Sequence, residues 1–141
     1  MSSATLTITI KAASLVVMAS GAIVALSAHP ATGGIASFLL DLLFWPLDNA
    51  PQLDTSAARL LAGIGGGVMV GWGLMLWLVA VHLLPRDPGC AARIIRPSVI
   101  AWFLVDSAGS LAAGVPLNAL LNLGFAVAFL IPLSGVARSA S

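Results

Sequence analysis

"LLAGIGGGVMVGWGLMLWLVAVHLL", residues 60–84, contains no Asp, Glu, Lys or Arg. An apolar helix of about 20 residues, rising 1.5 Å per residue, matches the roughly 30 Å hydrocarbon core of a bilayer. Hydrocarbon offers no water to the backbone. A segment that enters it must therefore pair its N–H and C=O groups internally, and helix is the default. The stretch reads as a membrane-spanning helix, which makes the chain an integral membrane protein.

The remaining sequence agrees. Three more apolar segments, at about 12–28, 98–115 and 117–133, are long and rich in Leu, Ala, Val and Gly. Only 8% of residues are charged and mean hydropathy is +1.07, whereas a soluble domain carries about 25% charge. Six basic and five acidic side chains are too few to make a water-facing surface. The expectation is a single all-α domain over 1–141, a four-transmembrane-helix bundle. Pro97 and Pro116 fall where the third and fourth spans should start, positions that tolerate a missing N–H. Pro85 and Pro88 close the second span. The short link between the last two predicts a tight antiparallel hairpin.

The first segment could also be read as a cleaved signal peptide, with Lys11, an apolar core and a small-residue end at "ALSA". His29-Pro30 follows directly and is a poor cleavage context, so a retained span is expected. Residues 35–49, "IASFLLDLLFWPLDN", are too short to cross. At 100° per residue Ser37, Asp41 and Asp48 form one narrow polar stripe. Such a helix should lie in the membrane interface with Trp45 at headgroup level.

Charge placement orients the bundle. Lys11, Arg86, Arg93, Arg96 and Arg138 fall on one side with Asp87. Asp41, Asp48 and Asp54 fall on the other with Arg59. Basic residues favour the cytoplasm, so both termini and the 85–97 loop are expected inside and the 29–58 connection outside. A net charge of +1 and no basic cluster with interleaved aromatics speak against nucleic acid. Cys90 is the lone cysteine, which excludes an internal disulfide or a CxxC site.

The glycines of "GIGGGVMVGWG" (63–73) do not cradle a phosphate. Val68 occupies the place of the last glycine in a GxGxxG pattern, and no Gly-Lys-Ser/Thr follows. Gly63, Gly67 and Gly71 recur every four residues instead, a glycine-zipper spacing that lets another helix approach closely. That helix could belong to the same chain or to a second copy or partner. No internal repeat of a transporter kind is apparent.

Asp106, in "WFLVDSAGS" (102–110), lies about 14 Å along its helix from Pro97. An acid at that depth costs about 2.5–3.5 kcal/mol to insert. It shares a face with Gly109 and Ser110, and Asn118 and Asn122 share a face of the next helix. A polar cluster of Asp106, Ser107 or Ser110, Asn118 and Asn122 is expected, with Arg59 above it. Asp106 should be buried, paired and protonated, with Asn122 or Arg59 as its partner. Two roles stay open: hydrogen-bonded glue between helices, or a site for a proton, a cation or a polar headgroup. No nucleophile pair or metal cluster accompanies the acid, so neither an enzyme nor a metal site is expected. His29 and His82 fall at opposite ends of their spans and cannot share a haem. No cofactor is expected, with a pigment on His82 as the alternative.

"ARLLAGIGGGVMVGWG", an inside basic loop and "WFLVDSAGS…PLNALLNLGFAVAFLIPL" together resemble small bacterial four-helix inner-membrane proteins of the broad DoxX-like group. The resemblance spans about residues 57–133 and is one of pattern. It implies a multi-pass protein of the inner membrane and transfers no catalytic residue. The expected function is a non-enzymatic accessory or assembly subunit, meeting lipid and a membrane partner or second copy through its glycine face. The alternative is a small carrier or sensor for a proton, ion or lipid-like solute at Asp106.

Overall fold

A computed structural model of the chain describes residues 2–48 and 53–136. Five α-helices run in the order α1 (Ser3–Leu26), α2 (Gly34–Phe44), α3 (Ser56–Leu78), α4 (Pro88–Ala112) and α5 (Pro116–Leu133). A 3-10 turn at Pro30–Thr32 precedes α2, and one π-helical turn, Val79–Leu83, extends α3. There is no strand among the described residues. Four helical stretches are long and apolar enough to cross a membrane: Ser3–Leu26, Ser56–Leu83, Pro88–Ala112 and Pro116–Leu133. The shortest α-helix, α2, has 11 residues, about 16 Å of helix, and is too short. The chain is a multi-pass, all-helical membrane protein. Its described residues group into two units, one from Met1–Leu15 with Leu74–Ser141 and the other from Val16–Gly73.

Two helices, α1 and α4, start nine or ten residues earlier than their apolar segments, for the same reason. Ser2 Oγ accepts the Thr5 N–H at 3.1 Å, which caps α1 nine residues before position 12. Thr9 and Ser14 donate their hydroxyls to the carbonyls of Thr5 and Ile10, so neither interrupts the helix. Lys11 consequently lies within α1 rather than ahead of it, and its Nζ sits 4.7 Å from the Trp77 ring centroid. That ring face partly replaces lost hydration.

The third span begins at Pro88, not Pro97. Asp87 accepts the Cys90 N–H at 2.8 Å and Pro88 occupies the first turn, a stronger start signal than a lone proline. Pro97 is inside α4, and the expected 85–97 loop is mostly helix. Arg96, also within α4, donates through Nη2 to the carbonyls of Leu133 and Val136, the latter at 3.0 Å. It thereby ties α4 to the turn that follows α5, where the Leu133 carbonyl also accepts the Val136 N–H at 3.0 Å. Arg138 and Asn49 lie outside the described residues.

α4 and α5 form the expected hairpin, α5 starts at Pro116 as expected, and the turn between them is centred on Gly114. Gly114 has φ 76°, and Val115 N–H bonds the Ser110 carbonyl at 2.8 Å. Ile95, Val99 and Ser107 of α4 pack inward together with Asn122, Ala126, Phe129 and Leu133 of α5. Trp102 meets Phe125 edge-on at 6.2 Å.

Within residues 16–73, α1 and α3 cross tightly, though not on the expected glycines. A Cβ on Gly66 would collide with the Ala25 backbone, and one on Gly21 would lie 2.8 Å from the Gly66 carbonyl oxygen. At Gly63 an added Cβ would reach only ordinary contact with Ala28, 3.5 Å away. Gly67, Gly71 and, in the other unit, Gly109 have nothing within 4 Å. The packing glycines are thus Gly21 and Gly66. The Gly67 and Gly71 positions point away from α1, because the two faces of the cluster lie a residue apart and α1 can fill only one.

Substitution at the two faces should separate them. Gly66→Ala forces backbone apart and is expected to cost at least about 1–3 kcal/mol. Gly67→Ala meets open space and gains helix propensity of up to about 1 kcal/mol. Reversible unfolding of each variant in mixed micelles measures the difference, and equal losses would contradict the Gly21–Gly66 crossing.

Candidate functional site

The polar side chains of α4 and α5 meet near the closed end of their hairpin. Asn118 Nδ2 donates to Ser110 Oγ at 2.8 Å and to Asp106 Oδ1 at 3.3 Å. Ser110 Oγ lies 2.8 Å from the Asp106 carbonyl oxygen and 3.3 Å from Asp106 Oδ1. One helical turn further on, Asn122 Nδ2 donates to Ser107 Oγ at 3.3 Å. Four of the five expected cluster residues, Asp106, Ser110, Asn118 and Asn122, therefore lie along a single helix–helix seam.

The pairing differs from the expectation by one turn. Asp106 bonds Asn118, not Asn122. The turn at Gly114 sets the antiparallel register, so that Asn118 comes level with Ser110 and Asn122 with Ser107. Burial shifts with it. Asn122 is 4% and Ser107 8% exposed, whereas Asp106 and Ser110 are only half-buried. The inward line of α4 runs through Ile95, Val99 and Ser107, and Asp106 stands on its flank. Asp106 Oδ1 takes both donors, while Oδ2 accepts no hydrogen bond among the described residues. No buried side-chain nitrogen or oxygen lacks a partner among those residues, so Oδ2 is open to its surroundings. Chemically the seam offers one carboxylate oxygen held by an amide and a hydroxyl, and a second that is free to accept.

Arg59 belongs to the Val16–Gly73 unit. It is half-buried in the first turn of α3, beside a recess lined by Ala28, Ser56, Leu60, Gly63 and Ile64. On α2, Asp41 is buried and its Oδ1 accepts the Asp48 N–H at 3.1 Å. The helix ends at Phe44, short of residue 49, because Pro46 disfavours helical backbone at Trp45. Trp45 is 64% exposed, as are much of Ile35 and Phe38. Of the polar stripe Asp41 turns inward and Ser37 is half-buried, whereas Asp48, beyond the helix end, is exposed like the apolar face.

His82 is exposed on the π-helical turn, and its carbonyl accepts from Arg86 Nη1 at 2.6 Å. His29 Nδ1 accepts the Ala31 N–H at 3.2 Å and caps the 3-10 turn. Among the described residues no three His, Cys, Asp or Glu side chains gather at metal-binding range. Arg96 and Lys11 are working residues that charge counting treats only as topology markers. Their signal is depth, since each falls inside a helix once the caps at Ser2 and Asp87 are recognised. No family model, curated protein or solved structure matches the chain.

A double-mutant cycle between Asp106→Ala and Asn118→Ala should give a coupling near 0.6 kcal/mol and no more than about 1.7 kcal/mol. The cycle between Asp106→Ala and Asn122→Ala should give none. Unfolding in mixed micelles reads both values, and coupling to Asn122 alone would contradict the register set by Gly114.

Proposed function

We propose that the chain is a non-enzymatic accessory or assembly subunit of a membrane complex, similar to small DoxX-like inner-membrane proteins. Both termini lie on the cytoplasmic side, and α2 lies in the opposite interface. The observation that carries this reading is the open glycine strip of α3, Gly67 and Gly71, each with nothing within 4 Å. Glycine in a helix interior costs about 1 kcal/mol relative to alanine, and the crossing with α1 uses other glycines. A strip of this kind admits a further helix at close range. The partner is a membrane protein or a second copy of the chain. The apolar face of α2, with Phe38 and Trp45 exposed, suits burial at the headgroup boundary.

The test is co-purification at native expression in mild detergent. Wild type should carry a partner or a second copy. Gly67→Leu combined with Gly71→Leu should reduce recovery at least tenfold while the isolated chain still folds, and Asp106→Asn should retain it. Isolation of wild type as a lone monomer would sink the subunit reading.

A second reading draws on Asp106. Its open Oδ2 beside two donors held on Oδ1 suits a carrier or sensor that takes a proton, an ion or a lipid-like solute. Asp106→Asn keeps the shape and removes the titratable charge. It should abolish solute uptake or pH response in proteoliposomes without unfolding the chain, and equal function in both proteins would eliminate this reading.

A further inference from the structure

We propose that the recess at the start of α3 binds the anionic headgroup of a membrane lipid, with Arg59 as the charged contact. The recess measures about 470 Å³ and is lined by Ala28, Ser56, Arg59, Leu60, Gly63 and Ile64. It is a shallow depression open to its surroundings rather than an enclosed cavity.

The lining has the polarity of an amphiphile. Arg59 and Ser56 supply the polar groups, and neither makes a side-chain hydrogen bond or ion pair with a described residue. Leu60 and Ile64 supply apolar wall and are 63% and 55% exposed. A guanidinium presents planar, paired donors that match a phosphate or carboxylate. Asp54, the nearest acid in sequence, is exposed and leaves the guanidinium unneutralised.

The helix crossing explains why a recess exists there. Gly21 and Ala25 of α1, and Ala28 in the turn just after it, run alongside Met69, Gly66 and Gly63 of α3. At Gly66 the backbones touch and no space remains. At Gly63 the helices have begun to part, and an added Cβ would reach Ala28 at 3.5 Å. Gly63 and Ala28 both line the recess, and the absence of a side chain at Gly63 keeps that wall back.

Depth selects a lipid over a free anion. The apolar stretch Ser56–Leu83 has 28 residues, about 42 Å of helix against a core of about 30 Å. Its first turn therefore reaches headgroup level. Arg59 lies about 4.5 Å from that end, while Leu60, Gly63 and Ile64 continue downward into acyl-chain depth. A lipid phosphate at Arg59 would lead its chain along that wall.

The experiment titrates the purified full chain in a neutral detergent with three probes: short-chain phosphatidylglycerol, phosphatidylcholine of the same chain length, and inorganic phosphate. Native mass spectrometry counts the bound lipid. Wild type should prefer phosphatidylglycerol by roughly five- to tenfold, the gain expected from one basic residue at the interface. Arg59→Gln should remove the preference and leave phosphatidylcholine binding unchanged, and Arg59→Lys should restore most of it. Gly63→Leu, which fills the recess, should weaken both lipids. A preference that survives Arg59→Gln, or equal binding of the two lipids by wild type, would overturn the proposal. Full displacement of phosphatidylglycerol by equimolar inorganic phosphate would overturn it as well, because the site would then read only a free anion.

Discussion

The hydrocarbon core supplies no hydrogen bonds, and the architecture follows from that constraint. Each polar group that enters a span has to bring its partner with it. Thr9, Ser14 and Ser98 return their hydroxyls to the carbonyl one turn back. Arg96 places its guanidinium on the carbonyls of Leu133 and Val136 at the end of α5 and just beyond it. Lys11 lies over an indole. Asn118 and Asn122 each reach across to α4. These contacts are individually small, near 0.6 kcal/mol for an interhelical bond in lipid, yet they decide which helix faces can meet. In the α4–α5 hairpin they join Asp106 and Ser110 to Asn118, and Ser107 to Asn122.

The number and type of spans were legible from hydropathy, because a length of about 20 apolar residues is a coarse requirement that local detail cannot hide. Boundaries were less legible. Apolar content rises at position 12 and again at 98, but helices begin where a cap satisfies their first N–H groups. Those caps, Ser2 and Asp87, lie in polar sequence ahead of the hydropathy signal. Asp87-Pro88 is a readable start signal. It is masked by Pro97, which draws attention as a break although a proline can be carried within a long helix whose neighbours supply compensating bonds.

The polar seam was legible in membership and misread in register. Helix-wheel reasoning groups Asp106 with Ser110, and Asn118 with Asn122, from spacing alone. Which pair faces which depends on where the chain turns, and a shift of two residues in the turn moves the partner by a full helical turn. Gly114 holds the answer, since a left-handed backbone favours glycine. Pro116 serves only as the first helical residue after it. A glycine two residues before a proline between apolar runs is the stronger turn marker.

The glycines show why one helix cannot be read without its neighbour. Residues 63–67 contain four glycines, so spacings of four can be drawn along more than one face. Packing selects Gly66, because α1 offers Gly21 and Ala25 at matching intervals and closes on that face alone. The complementary small residues of α1 were present in the sequence. Only their alignment with α3 distinguishes the face that is filled from the one left open. That choice has a consequence beyond stability. Closing the crossing at Gly66 leaves Gly63 on its widening side and Gly67 on its outer side. The same contact that joins α1 to α3 thus sets apart the recess beside Arg59 and the bare strip at Gly67 and Gly71. One is a shallow, charged depression, suited to a headgroup, and the other is bare and neutral, suited to a helix.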